Sequence, residues 1–266
     1  PPEQRGFDGF LQRLPRQLQR YRAMGIGYAQ TPFQVDMQDQ GNRAAGTAEI
    51  TLANPLGYAI HYTLDGSEVS AASPGYSQPL QVALPARVNA AAFFDGQPLA
   101  AASRFEVTAD SLLVREDTQL GLCPGDGKLL LRLEDDGPAE GQRAIFNVNI
   151  FNPCWLWEDA DLSGVTGVKL RAGRIPYNFQ LAHDEPNRKF APAHSAHGEL
   201  EILGDQCQGA PLVSLPLPAA PDADGFIELE APLAPAKARG DLCIRFTGDT
   251  RPDMWTLDRV RLQTGN

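Results

Sequence analysis

The chain has 266 residues, a formal charge of −10 and an ordinary hydrophobic fraction of 42%, which places it among globular proteins and outside the disordered and membrane classes. An acidic chain with singly scattered arginines repels a phosphate backbone on average, so nucleic acid is not an expected partner, whereas a neutral sugar is not selected against. No stretch approaches the roughly 20 apolar residues that span a bilayer.

The 25 glycines and 22 prolines interrupt short apolar runs, favouring a mainly β protein with many turns over a helical bundle. The one helical pattern comes first. Phe7, Phe10, Leu11, Leu14, Leu18, Tyr21 and Met24 recur at spacings of three and four, predicting an amphipathic helix with Asp8 as N-cap and Gly25 as a left-handed C-cap. Pro15 predicts a kink, or a helix beginning near Leu14. Arg13, Arg16, Arg20 and Arg22 read as its solvated face. A lone helix cannot bury its stripe, so this one must pack on something.

Residues 38–108 read as a compact sandwich of short strands. Ile50 alternates with Leu52, Ile60 with Tyr62 and Leu64, and Val88 with Ala90, Ala92 and Phe94. Asp65-Gly66 and Asp95-Gly96 each follow an alternating run and predict hairpins. Residues 109–117 read as a linker. Residues 118–266 read as a second, larger β-sandwich, with alternation at Leu129, Leu131 and Leu133, at Leu200 and Ile202, at Ile227 and Leu229, and at Leu242, Ile244 and Phe246.

Cys123, Cys154, Cys207 and Cys243 all lie in that second sandwich. They form no CxxC pair and have no histidine at finger spacing, so two disulfides are expected over a zinc site, with three pairings open and four buried free thiols as the alternative.

Two stretches resemble a known family. Ile60-His61-Tyr62-Thr63-Leu64-Asp65-Gly66-Ser67-Glu68, followed by Ser73, Tyr76, Pro79 and Leu80, closely resembles the signature of a C-terminal domain of chitobiases and β-hexosaminidases. Val69 stands where that signature usually has proline. Gly6-Phe7-Asp8-Gly9-Phe10, Arg13-Leu14, Leu18, Gly25-Ile26 and Tyr28 look like the last helix and exit strand of the catalytic barrel of glycoside hydrolase family 20, the β-N-acetylhexosaminidases. The resemblance implies that residues 1–37 are the terminal helix and exit strand of a missing (β/α)8 barrel, and residues 38–108 an immunoglobulin-like domain.

It also implies that the catalytic Asp-Glu pair lies upstream, so that no residue here is catalytic and the chain is a non-catalytic accessory fragment. A barrel needs about 200 residues or more of repeating strand and helix. The implied parent removes terminal N-acetylhexosamine from glycans and is periplasmic or secreted. The implied partners are the missing barrel and N-acetylhexosamine-containing glycans.

Residues 118–266 resemble galactose-binding-like jelly rolls, including family 6 carbohydrate-binding modules. The likeness rests on Leu131-Arg132-Leu133-Glu134-Asp135, Gly240-Asp241-Leu242-Cys243-Ile244-Arg245-Phe246, Trp255 and Leu257-Asp258-Arg259-Val260. It implies a structural calcium between first and last strands, with Glu134 and Asp258 as ligands; ion pairs with nearby arginines are the equal alternative. Sugar recognition needs an exposed aromatic platform with polar groups fixing hydroxyls. Trp155, Trp157, Tyr177 and Trp255, with Asn178 as hydrogen-bonding partner, are the candidates, and filling the sandwich interior is the competing role for each aromatic. No other cofactor is expected. A purely structural spacer is the alternative function.

Overall fold

The computed structural model describes residues 6–125, 129–134, 145–177 and 182–265. The chain divides into two compact units, Pro1–Ala109 and Asp110–Asn266. No described helix is long and apolar enough to cross a membrane.

The first unit opens with α1 (Phe7–Ala23). Its N-cap is Gly6 and not Asp8, which sits in the first turn where its charge favours the helix dipole. The helix passes through Pro15 without breaking. The missing N–H costs one intrahelical bond, and the ring is repaid by burial against the unit. The C-terminus closes as a Schellman motif: Gly25 has φ +69°, Ile26 N–H donates to Tyr21 O at 2.8 Å and Gly25 N–H to Arg22 O at 3.1 Å. Leu18 is the buried apolar anchor of the stripe, while Phe7, Phe10 and Met24 are 61%, 46% and 70% exposed. The expected exit strand is absent; a 3-10 turn, Thr31–Phe33, follows instead.

Seven strands complete this unit: β1 (Asp36–Asn42), β2 (Thr47–Ala53), β3 (Ala59–Thr63), β4 (Leu80–Ala83), β5 (Ala86–Phe94), β6 (Gln97–Pro98) and β7 (Ser103–Val107). One antiparallel sheet runs β1-β2-β4; a second carries β3, β6 and β7 on β5. Alternation puts Ile50, Leu52, Val88, Ala90 and Val107 inside. Asp95-Gly96 closes the β5–β6 hairpin with both residues at positive φ, as a type I′ turn requires. Asp65-Gly66 does not close a two-residue hairpin. β3 pairs with β5, and Gly66 N–H donates to Arg87 O, so the chain after β3 makes a wide return in which Tyr76 N–H meets Ile60 O at 2.8 Å.

The second unit holds β8 (Val114–Glu116), β9 (Gly121–Leu122), β10 (Leu130–Glu134), β11 (Ile145–Asn149), β12 (Cys154–Asp161), β13 (Val165–Pro176), β14 (Glu199–Leu203), β15 (Val213–Pro216), β16 (Phe226–Pro232), β17 (Arg239–Phe246) and β18 (Asp253–Thr264). Residues expected as linker thus include β8. The sheets are β15-β14-β17-β12-β9, β16-β13-β18-β8 and the pair β10-β11, all antiparallel. Inward side chains from the two larger sheets share one core, among them Trp155, Leu200 and Ile244 from the first and Leu170, Leu257 and Val260 from the second. That is the layered packing of a jelly-roll-like sandwich. Disulfides join Cys123 to Cys154 and Cys207 to Cys243.

Ile244 is 0% exposed at the centre of β17. Ile244→Ala is expected to lower unfolding free energy by about 2–5 kcal/mol, and Phe7→Ala, on the exposed helix face, to stay within about 0.5 kcal/mol. Urea denaturation checks both; equal losses would contradict this assignment of core and surface.

Candidate functional site

The aromatic candidates sit in the interior, against the expectation of an exposed platform. Trp155 and Trp157 do share one face of β12, and that face points into the core, leaving them 1% and 5% exposed. The Trp155 indole N–H donates to Asn147 O at 2.7 Å and its ring meets Phe246 edge-on at 5.8 Å. The Arg115 guanidinium stands 5.0 Å from the Trp157 ring centroid. Trp255 is 2% exposed. Tyr177 is 3% exposed; its hydroxyl donates to Ile150 O at 2.8 Å, and burial pushes its pKa up. The polar handles of Trp155 and Tyr177 are satisfied internally, and with all four rings buried none presents a face to a sugar. Asn178 lies outside the described residues.

What the second unit offers instead is a polar cavity of about 220 Å³ over the Trp255 edge of the core. Arg174, at the end of β13, and Trp255 on β18 are cross-strand partners. The guanidinium lies 5.5 Å from the indole centroid, donates to Ala219 O at 2.8 Å and pairs with Asp253 at 3.1 Å. His197, Asp249 and Thr250 complete the polar lining, and Pro218 and Ala219 also line it.

The His197 loop is held from below by Glu199, 3% exposed. Both carboxylate oxygens accept from His194 N–H at 3.1 Å, and Thr247 Oγ1 also donates to it. Desolvation raises the Glu199 pKa, but these hydrogen bonds outweigh it and leave the carboxyl below its ordinary range. Gly198 and Gly248 have φ +79° and +77° where the two loops cross. A Cβ on Gly198 would collide with the Thr247 carbonyl, so glycine is required there. The resulting cleft has donors and acceptors suited to hydroxyl groups and no nucleophile paired with a base.

The first unit has a larger groove, about 900 Å³, whose lining includes Glu68, Arg87, Asn89, Arg104 and Glu106. Its best-placed polar group is already used: the Asn89 amide donates to Gly66 O and Ser67 O, each at 2.8 Å. The smaller cavity is therefore the better candidate.

Of the two residues expected to hold calcium, Asp258 makes the arginine pairing that stood as the alternative. Asp258 Oδ2 accepts from Arg171 Nη1 at 2.7 Å, and that guanidinium also lies 3.4 Å from the Phe226 ring centroid. The side chain of Glu134 lies outside the described part. No set of three carboxylates converges among the described residues, where the grouping close enough to ligate an ion is Cys123, Cys207 and Cys243. The same sheet face bears Lys169, Arg171, Arg259 and Arg261, and acids answer them: Glu228 for Lys169, Asp258 for Arg171, Asp110 for Arg261, and Glu116 across the strand from Arg259. It is a mixed-charge face, not an anion site. Asp184-Glu185 lies in a 3-10 turn where Glu185 pairs with Arg188 and Arg251.

Asp117, 4% exposed, escaped the sequence reading because nothing in its neighbourhood marks it as buried. Its carboxylate accepts from Asn147 N–H. Burial, with the charges of Asp258 and Glu116 adding, pushes its pKa up from 3.8 to about 6. The folded state therefore binds the extra proton between these values, and stability falls as pH rises through that window. The unfolding midpoint of the wild type relative to Asp117→Asn should drop between pH 4 and 7; a difference constant with pH would contradict the burial of the charge.

Residues 39–103 match the family model described as chitobiase/beta-hexosaminidase C-terminal domain. No curated protein matches the chain. Among solved structures, a family 6 carbohydrate-binding module from Clostridium cellulolyticum in complex with xylose is similar at 16% identity and TM-score 0.37, covering 56% of this chain and 95% of that one. A beta-1,3-glucan binding CBM6 from Bacillus halodurans is similar at 10% identity and TM-score 0.38, covering 57% and 95%. A glycoside hydrolase family 43 arabinoxylan arabinofuranohydrolase from Bacillus subtilis is similar at 11% identity and TM-score 0.36, covering 86% and 54%. Likenesses at this level carry no argument about ligand. The described residues contain no (β/α)8 barrel and no Asp-Glu dyad of the family 20 kind.

Proposed function

We propose that this chain is a non-catalytic accessory region of a periplasmic or secreted β-N-acetylhexosaminidase, and that its second unit holds glycan at the cavity of Arg174, His197, Asp249 and Thr250. The observation that carries the reading is the family match over residues 39–103, which spans the Tyr62 to Pro79 signature. The two disulfides support an oxidising compartment. The exposed rings of Phe7 and Phe10 and the Met24 side chain support a catalytic barrel as the surface that α1 covers. Glycan capture would raise local substrate concentration without entering the chemical step. A spacer without ligand is the second reading, favoured by the burial of Trp155, Trp157, Tyr177 and Trp255.

The chain is expected to release no chromophore from a chromogenic N-acetylglucosaminide, and to bind chitin-type or N-glycan oligosaccharides in calorimetric titration. His197→Ala should weaken that binding about fivefold, the loss of roughly one neutral hydrogen bond. Turnover at enzymatic rates defeats the non-catalytic claim, and no binding up to millimolar glycan with folded protein hands the second unit to the spacer reading.

Arg171 serves in this reading where an ion was expected. Millimolar calcium, or a chelator, should leave the unfolding midpoint unchanged; a calcium-dependent rise of several degrees would restore the metal.

A further inference from the structure

The two disulfides of the second unit are not independent of each other. The Sγ atoms of Cys123, Cys207 and Cys243 all lie within 4.8 Å of one another, and the fourth, of Cys154, is bonded to Cys123. Four separate segments deliver them. Cys123 follows β9, and Cys154 begins β12. Cys243 on β17 faces Leu156 on β12 and Leu203 on β14, and Cys207 ends a 3-10 turn at φ +56°. Its N–H donates to Gly204 O at 3.1 Å. Cys123, Cys154 and Cys243 are 4%, 4% and 0% exposed, and Leu203 packs against them.

Three clustered sulfurs, with a fourth bonded to one of them, have the ligand count and identity of a structural zinc site; Cys123, Cys154 and Cys243 are buried and Cys207 is half-buried. Tetrahedral zinc places thiolates about 2.3 Å from the ion, hence roughly 3.8 Å apart. The three-sulfur cluster already spans a comparable distance; when the S–S bonds open, the bonded partners must separate and the Cys154 sulfur must swing toward the other three. The paired Cα atoms are 5.5 Å and 5.3 Å apart, so those separations fit within side-chain rotation. Soft thiolates select zinc over the hard ions that carboxylates hold.

We propose that the reduced chain binds one zinc ion through Cys123, Cys154, Cys207 and Cys243. A dithiol reductant supplies two electrons and two protons to each disulfide, breaking both S–S bonds to give four thiols and leaving two equivalents of the dithiol as its cyclic disulfide. Zinc then replaces the four thiol protons, which go to solvent. Burial disfavours a free thiolate at such a position, so the charge appears only with the ion. The same four residues thus staple β9, β12, β17 and the β14–β15 connection in oxidising and in reducing surroundings. This site does not depend on the glycan reading, since none of its residues lines the cavity.

The test uses the full chain, reduced anaerobically with a dithiol that is then removed, and titrated with cobalt(II) as a spectroscopic substitute for zinc. The expected result is a thiolate-to-cobalt charge-transfer band with intense tetrahedral d–d bands, saturating at one ion per chain and bleached by zinc. Zinc should also raise the unfolding midpoint of the reduced chain and protect four thiols from alkylation. Oxidised protein should give no bands, and the reduced Cys207→Ser/Cys243→Ser variant should bind at least tenfold more weakly. Three results would each overturn the proposal: no bands with the reduced wild type, the same affinity in the double variant, or bands that appear only when circular dichroism shows the β structure lost.

Discussion

The antiparallel ladder between β13 and β18 is the constraint on which the second unit depends. Each strand has 12 residues, and they pair from Val165 with Thr264 to Pro176 with Asp253. β16 extends the sheet on one side and β8 on the other. Every feature of interest on that sheet is fixed by this register. It sets Arg174 against Trp255, and so gives the cavity its floor and its guanidinium. It sets Arg171 against Arg259, beside Asp258, and so lets an arginine neutralise the acid near the chain end. A slip of one residue would turn these charged side chains inward and bring Leu170 and Val260 to solvent.

That ladder is also what the sequence concealed. β13 reads Val-Thr-Gly-Val-Lys-Leu-Arg-Ala-Gly-Arg-Ile-Pro, and its alternation is broken twice, at the register shifts near Val165–Gly167 and Arg171–Ala172. Inward positions are filled by glycine and alanine as well as by valine and leucine. Gly173 has no room for a side chain because the Phe146 ring lies against it. β18 places Met254, Trp255, Thr256 and Leu257 all in the interior, which no period of two predicts. By contrast β2 keeps its period, with Ala48, Ile50 and Leu52 buried between less buried neighbours, and its inward residues were legible; β5 and β14 are buried on both faces, so alternation marks only part of their interior. The Schellman closure of α1 was legible for a similar reason, since glycine at a helix end has few other uses. The passage of α1 through Pro15 was not, because the energy that offsets the lost bond is tertiary.

The site was less legible than the fold. Alternation correctly put Trp155 and Trp157 on one face, but alternation does not say which face is inside. The indole N–H of Trp155 finds its partner, Asn147 O, on β11 in a different sheet, which is a property of the assembled fold. The cavity itself depends on loops whose shape is set by Glu199, a residue that reads as an ordinary surface acid. Buried among the hydroxyls of Thr247 and Ser195 and the backbone N–H groups of His194 and Ser195, it holds a loop instead of contacting solvent. The disulfide pairing likewise waited for the β9–β12 and β14–β17 pairings, because spacing alone left three choices open.

The two units differ in how they use charge, and this bears on what each can do. In the first, the ion pairs are loose and solvent-exposed, such as Arg16 with Asp95 at 3.7 Å and Arg87 with Glu106 at 3.9 Å; pairs of this kind contribute little to stability. In the second, guanidinium groups stand near rings and reach carboxylates from there: Arg171 lies 3.4 Å from the Phe226 centroid and Arg174 5.5 Å from that of Trp255. A guanidinium held on a ring has lost most of its rotational freedom before any ligand arrives. A hydroxylated ligand entering the cavity would therefore meet a donor whose ordering cost is already met by the fold. On the proposed reading, that pre-ordering, and not an aromatic platform, is what would let the second unit hold a small polar molecule.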